Sequence, residues 1–147
     1  MNISSANLSM AKELATLFDA YRVFYRKEPD PIAALSFIED RLENNDAVIF
    51  VAQDTDEKIV GFTQLYPSFS STKMQRLWIL NDLFVLPEFR GQGISKLLID
   101  RAKLLCKESD ACGLLLETET SNIIGNRLYP SCGFELEKNN FYFWTNT

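Results

Sequence analysis

The 147-residue chain carries no histidine, 15 Lys+Arg against 20 Asp+Glu, and a hydrophobic fraction of 46%. That length and apolar content suit one domain, residues 1–147, whose core needs no metal or disulfide staple. The missing histidine excludes Ser-His-Asp and Cys-His catalysis and His-based zinc sites. Acid–base work then falls to carboxylate, Tyr, Lys, Cys or water, and no metal is expected.

A net charge of −5 argues against a nucleic-acid partner, although residues 61–110 hold 7 basic groups against 5 acidic ones and form the one plausible anion site. No run of ~18 apolar residues marks a membrane span, and no N-terminal stretch has the pattern of a signal peptide. Cys106, Cys112 and Cys132 are odd in number and lack CxxC spacing, so they read as buried small hydrophobes in a reducing, cytoplasmic setting.

Asn2–Ser5 is expected as a short first strand. Ser9 then stands as N-cap before Leu14, Leu17, Phe18, Tyr21 and Phe24, whose spacing is helical. Pro29 and Pro31 stop that helix, and a second runs over 33–44. Residues 47–53 and 59–66 read as a hairpin, 67–72 as a loop, and 77–85 as a further strand ended by Pro87. A helix over 95–108, a strand over 114–117 and a short helix over 122–131 follow. A last hairpin, 134–137 with 141–145, turns at Lys138-Asn139-Asn140. The fold class is α/β with a mixed, twisted sheet, in the order β-α-α-β-β-β-α-β-α-β-β.

The segment Leu83-Phe84-Val85-Leu86-Pro87-Glu88-Phe89-Arg90-Gly91-Gln92-Gly93-Ile94-Ser95-Lys96 carries the most chemistry. A strand runs through a loop with two glycines straight into a helix, whose first N–H groups lack internal partners and sit at the positive end of its dipole. Glycines at 91 and 93 let an anion approach the main chain, with Arg90 and Lys96 beside it. A nucleotide P-loop would need Gly-Lys-Ser/Thr, and a dinucleotide fingerprint a third glycine at Lys96; neither is present.

The loop resembles the acyl-CoA pyrophosphate loop of the GNAT superfamily of N-acyltransferases, Arg/Gln-x-x-Gly-x-Gly/Ala, with Arg90, Gly93 and Ser95 in the signature places and Ser95 departing from Gly or Ala. The resemblance implies acetyl-CoA as co-substrate. The main chain of Leu83, Phe84 and Val85 would pair with the pantetheine arm, and that of Gly91, Gln92, Gly93, Ile94, Ser95 and Lys96 would hold the pyrophosphate. It also implies that the third and fourth strands form the sheet centre and splay where the cofactor enters. A second stretch, Asn122 to Phe134, resembles the family's Asn-x-x-Ala-x-x-Phe/Leu-Tyr followed by Gly-Phe. Gly125 there replaces Ala and leaves room for a ligand, and Pro130 follows Tyr129. Tyr129, protonated at neutral pH with a reference pKa of ~10, is the expected proton donor to the departing thiolate, and Asn122 a ligand of the cofactor arm.

From about Val60 onward the chain resembles the diamine acetyltransferases, in which the place of Asn81 is commonly Glu and the next Asp. Asn81 cannot act as a base, which leaves Asp82, or Glu117 and Glu119, to deprotonate the amine. The acceptor pocket implied by the superfamily involves Phe24, Tyr25 and Arg26 together with Tyr66, Phe69, Ser70 and Ser71. Its aromatics suit a cationic amine, whereas Arg22, Arg26 and Arg76 suit an acceptor bearing a carboxylate. The expected function is direct acetyl transfer to a primary amine of a small molecule by a cytoplasmic homodimer, the dimer being a family-level expectation. The alternatives are a protein N-acetyltransferase and a non-catalytic acyl-CoA sensor.

Overall fold

A computed structural model describes residues 1–147. The chain divides into two compact units, Met1–Glu117 and Thr118–Thr147. In the first, β1 (Asn2–Ser5), β2 (Val48–Gln53), β3 (Ile59–Ser70), β4 (Gln75–Val85) and β5 (Leu114–Leu115) lie in that order in one mixed sheet. Pairing is antiparallel from β1 to β4 and parallel between β4 and β5. Helices α1 (Ala11–Phe24) and α2 (Pro31–Asn44) precede β2, and α3 (Ile94–Glu108) joins β4 to β5.

Ala11, Leu14, Leu17 and Phe18 of α1 and Ala34 and Ile38 of α2 share a buried cluster with Ile49, Val51, Phe62 and Phe84 of the strands. Side chains alternate along a strand, so Phe50, between Ile49 and Val51, faces the other way. There Arg101 of α3 lies over its ring at 4.3 Å. The sheet is thus covered by α1 and α2 on one face and by α3 on the other. In the second unit the regular element is α4 (Ile123–Ser131).

Several boundaries differ from expectation. Asn7, not Ser9, is the cap, and it caps a 3₁₀ turn, Leu8–Met10, that precedes α1. Pro31 opens α2 instead of only ending the previous helix, because a proline at the first helical position gives up an N–H that would be unpaired anyway. Asp30 accepts from Ala33 N as that helix's cap. β3 runs on through Pro67 to Ser70, where a loop was expected. Its pairing with β2 ends at Val48–Leu65, so Pro67 lies where β3 is an edge on that side, a setting that tolerates a missing N–H.

The expected final hairpin is absent, and residues 134–147 form no strand. Alternation there records β-propensity, but a lone two-stranded hairpin is marginal in water. The turn Lys138-Asn139-Asn140 also lacks the Asn-Gly or Asp-Gly pair that favours a tight hairpin.

Candidate active site

β3 and β4 stay paired from Gly61–Val85 to Ser70–Gln75, so they do not splay as expected. The strands that separate are β4 and β5, which pair only at Trp78–Leu114 and Ile79–Leu115. The expected strand over 114–117 accordingly ends at Leu115, leaving Glu117 beyond it and exposed.

A bulge then decides which groups the open edge presents. Gln64 pairs with Asp82 and Leu65 with Leu80, so Asn81 is the extra residue. Before it, Trp78 N donates to the Gly113 carbonyl and Cys112 N to that of Arg76, so even-numbered residues face β5. After it, Leu86 N donates to the Val60 carbonyl and the Thr63 hydroxyl to that of Asp82, so even-numbered residues face β3. Leu83 and Val85 therefore turn their main-chain N–H and C=O toward the side where β5 has ended. Phe84, buried, points its own toward β3.

Beyond Val85, a 3₁₀ turn, Pro87–Phe89, leads to Arg90 and the glycine loop. Gly91 and Gly93 have φ of +77° and +79°, a region that costs L side chains about 1–2 kcal/mol, and a Cβ at either would meet nothing within 4 Å. The open space marks a site where backbone geometry, not crowding, calls for glycine. Gly93 caps α3 with no side-chain bond, and the first turn of α3 holds no acidic residue. Lys96 sits in that turn instead, a cation at the positive end of a helix, which an anion at Ile94, Ser95 and Lys96 would offset. Arg90 is oriented by its Nε donating to the Val85 carbonyl at 2.9 Å, with its guanidinium 5.5 Å from the rings of both Phe24 and Phe84.

On the α1/α2 face, Phe62, Gln64 and Tyr66 follow one another along β3 beside Phe84 and Asp82 of β4. Asp82 is 4% exposed. It accepts from Gln64 Nε2 at 2.7 Å and from Asn81 Nδ2 at 3.2 Å. Tyr21 of α1 also bonds it, and the Tyr21 hydroxyl reaches the Asn81 carbonyl at 3.4 Å. Burial raises the Asp82 pKa, and the bonds from Gln64, Tyr21 and Asn81 hold it back. Tyr66, half-buried, has its pKa pushed up to about 12 by burial and by the Asp82 charge. Asp82 is thus a carboxylate whose proton affinity is adjusted by named neighbours. Gln64 and Tyr21 were not among the expected site residues. The signal for Gln64 was a lone amide in the apolar run 59–66, in step with Phe62.

The expected acceptor residues separate into groups. Tyr25 packs edge to face against Tyr21 and Phe24, at 5.1 and 5.2 Å, and so adjoins the Asp82 cluster. Arg22 is taken up structurally by Asp19 at 2.8 Å and by the Glu28 carbonyl. Arg76 lies over Phe69 and Trp78 at the far end of the β3–β4 hairpin. Arg26 is exposed, with a φ of 66° just past α1. Cys106 and Cys132 are buried as expected, while Cys112 is only half-buried.

Within the second unit, Asn122 caps α4, its Oδ1 accepting from Gly125 N and its Nδ2 donating to Thr118. A Cβ on Gly125 would come within 2.6 Å of that amide. Glycine there makes space for the capping side chain, correcting the expectation that it makes space for a ligand. α4 continues through Pro130, which lies in its last turn. Phe134 N donates to the Tyr129 carbonyl and Gly133 N to that of Pro130, with Gly133 at φ +90°. This is a Schellman closure. Glu119 sits just before the helix, its carbonyl accepting from Asn122 N and Asn126 Nδ2.

No helix of the chain is long and apolar enough to cross a membrane. Residues 12–134 match the family model described as "Acetyltransferase (GNAT) family". The chain is 44% identical over 135 residues to "Uncharacterized N-acetyltransferase YhfO" of Bacillus subtilis (strain 168), covering 92% of this chain and 90% of that one. It is 30% identical over 100 residues to the "Putative [ribosomal protein bS18]-alanine N-acetyltransferase" of the same organism, covering 68% and 62%. Among solved structures, "Crystal structure of a probable acetyltransferase" superposes with a TM-score of 0.95 at 35% identity, over 100% of this chain and 99% of that one. These likenesses set aside the non-catalytic alternative. The chain belongs to the GNAT family and is an acetyl-CoA-dependent acetyltransferase.

Proposed function

We propose that this enzyme, as a single catalytic domain, transfers the acetyl group of acetyl-CoA directly to a primary amine of a small molecule, such as a polyamine or an amino acid. The observation that carries the reading is Asp82, a buried carboxylate with a raised pKa, set beside Tyr21 and Tyr66 on the strand that leads to the anion loop. An amine arrives protonated and must lose a proton before it attacks. A carboxylate with raised proton affinity suits that task better than an exposed one. The surrounding rings favour a cation.

In this reading the N–H groups at the start of α3 and the Arg90 guanidinium hold the pyrophosphate. Leu83 and Val85 offer the main-chain edge along which the thioester arm lies, so most of the acceleration comes from positioning and from backbone donors near Val85. Tyr129 is assigned as proton donor to the leaving thiolate on the strength of its motif, and Asn122 as a ligand of the arm through the second N–H of its amide. Glu117 and Tyr25 are assigned to the acceptor's surroundings, with Arg26 and Tyr66. A cytoplasmic homodimer is proposed on the resemblance and on the three free cysteines.

A second reading, acetylation of a protein's N-terminal amine, is favoured by the name of one relative. Release of free thiol from acetyl-CoA, followed across polyamines, amino acids and short peptides, separates the two. Turnover on a small amine with little on peptides supports the proposal. Turnover confined to peptides replaces it with the second reading.

A further inference from the structure

Gln64 is fully buried, and its Nε2 donates to Asp82 Oδ2 at 2.7 Å. Its Oε1, equally buried, has no hydrogen-bond partner. Leaving a buried acceptor unmatched costs roughly 1–3 kcal/mol, an unusual expense for a residue that an apolar side chain could replace in a strand otherwise reading Ile-Val-Gly-Phe-Thr. A primary amide does not titrate, and it presents a donor and an acceptor on the same carbon. Turned one way it donates to a carboxylate; turned 180° about its last torsion it accepts from a carboxylic acid. Gln64 and Asp82 are register partners next to the Asn81 bulge, which keeps the amide and the carboxyl in reach of one another in both states.

We propose that Gln64 is a positioning residue that follows the protonation of Asp82, donating through Nε2 to the carboxylate before the amine is deprotonated and accepting through Oε1 from the carboxylic acid afterwards. The inference rests on the assignment of Asp82 as base. In the step itself the acceptor's ammonium N–H bond breaks and the proton passes to an Asp82 oxygen. The amine keeps the electron pair with which it attacks, and the new O–H is held by Gln64 Oε1. Asp82 returns the proton to solvent before the next turnover. Tyr21 on α1 and Tyr66 on β3 are the titratable groups facing Asp82, while Arg41 of α2 and Asp46 act on Tyr66.

The test is the pH profile of kcat/KM in wild type, Gln64→Leu and Asp82→Asn. Gln64→Leu loses both bonds, and because the one to the charged carboxylate is the stronger, the acid limb is expected to move up by less than about one pH unit, with kcat/KM lowered on both sides of the limb and most below it. A purely structural role would lower the whole curve and leave the limb in place, and that result overturns the inference. If Gln64→Leu does not fold, the Gln64 side-chain amide signals of the wild type, followed by NMR across the pH range, decide the matter. They should shift with the midpoint of the activity limb, and signals flat through that limb overturn the inference. Wild-type turnover in Asp82→Asn would instead refute the underlying assignment of the base, a result distinct from an unmoved limb in Gln64→Leu with Asp82→Asn inactive.

Discussion

Arg90 Nε donates to the Val85 carbonyl at 2.9 Å, which joins the anion loop to the open edge of β4. The same guanidinium lies 5.5 Å from the ring centres of both Phe24 of α1 and Phe84 of β4. One side chain therefore sets the loop against both the cofactor-binding strand end and the helix of the acceptor side. Its planar fork matters as much as its charge, since a lysine cannot hold the carbonyl, stack on two rings and face an anion at once. Arg90→Lys is expected to weaken acetyl-CoA binding about tenfold, near 1.4 kcal/mol. Calorimetric titration of both proteins measures this, and equal affinities would show that charge alone suffices.

At the other end of the proposed chemistry, the Tyr129 and Phe134 rings meet edge to face, centroids 5.8 Å apart, within the turn that closes α4. Tyr129→Phe keeps the ring contact and removes the proton. It is expected to lower kcat at least about a hundredfold while leaving acetyl-CoA affinity unchanged. A loss of affinity with kcat preserved would assign the hydroxyl to binding instead.

Gly93 has a left-handed backbone and open space where a Cβ would stand. Gly93→Val is therefore expected to lower stability by only about 1–2 kcal/mol, through backbone strain, and to abolish measurable acetyl-CoA binding because the added side chain occupies the approach to the α3 amides. Thermal unfolding with and without acetyl-CoA measures both effects together. A ligand-induced rise in Tm as large as that of wild type would mean that the glycine serves the turn alone.

Asp82 also sets a stability effect. Its pKa is raised in the fold above the unfolded value of 3.8, so the folded state binds the proton more tightly than the unfolded chain. Stability from this group is present at low pH and is lost as pH rises through the folded pKa. Asp82→Asn removes the ionisation, so it is expected to unfold at a higher temperature than wild type at neutral pH, with the difference shrinking toward acid. Denaturation curves at several pH values test the sign, and a variant less stable than wild type at pH 7 would refute it.

Much of this was legible from local chemistry. The strand, glycine loop and helix around Arg90, Gly91 and Gly93 announce themselves because helix starts and left-handed turns are set by neighbours in sequence. The Pro67 extension and the Asn81 bulge were not, because each depends on where a partner strand runs and ends. The bulge matters most, since one extra residue reverses which edge Leu83 and Val85 present, and its evidence is a register between chains of residues far apart. Gln64 was hidden for the same reason, being an unremarkable amide until its pairing with Asp82 is seen. The expected pairing of residues 134–137 with 141–145 failed in the opposite way: strand propensity was read, but a ladder was not formed.

The central claim is that the buried Asp82 carboxylate takes the amine's proton. It is tested most directly by the pH dependence of acceptor-stimulated thiol release from acetyl-CoA, in wild type and in Asp82→Asn, with the most active amine of the panel. The wild type should show an acid limb at a midpoint above the ordinary carboxylate range, and the variant should bind acetyl-CoA normally yet turn over at least about a hundredfold more slowly near that limb. An Asp82→Asn enzyme with the wild-type rate and the wild-type limb would contradict the claim.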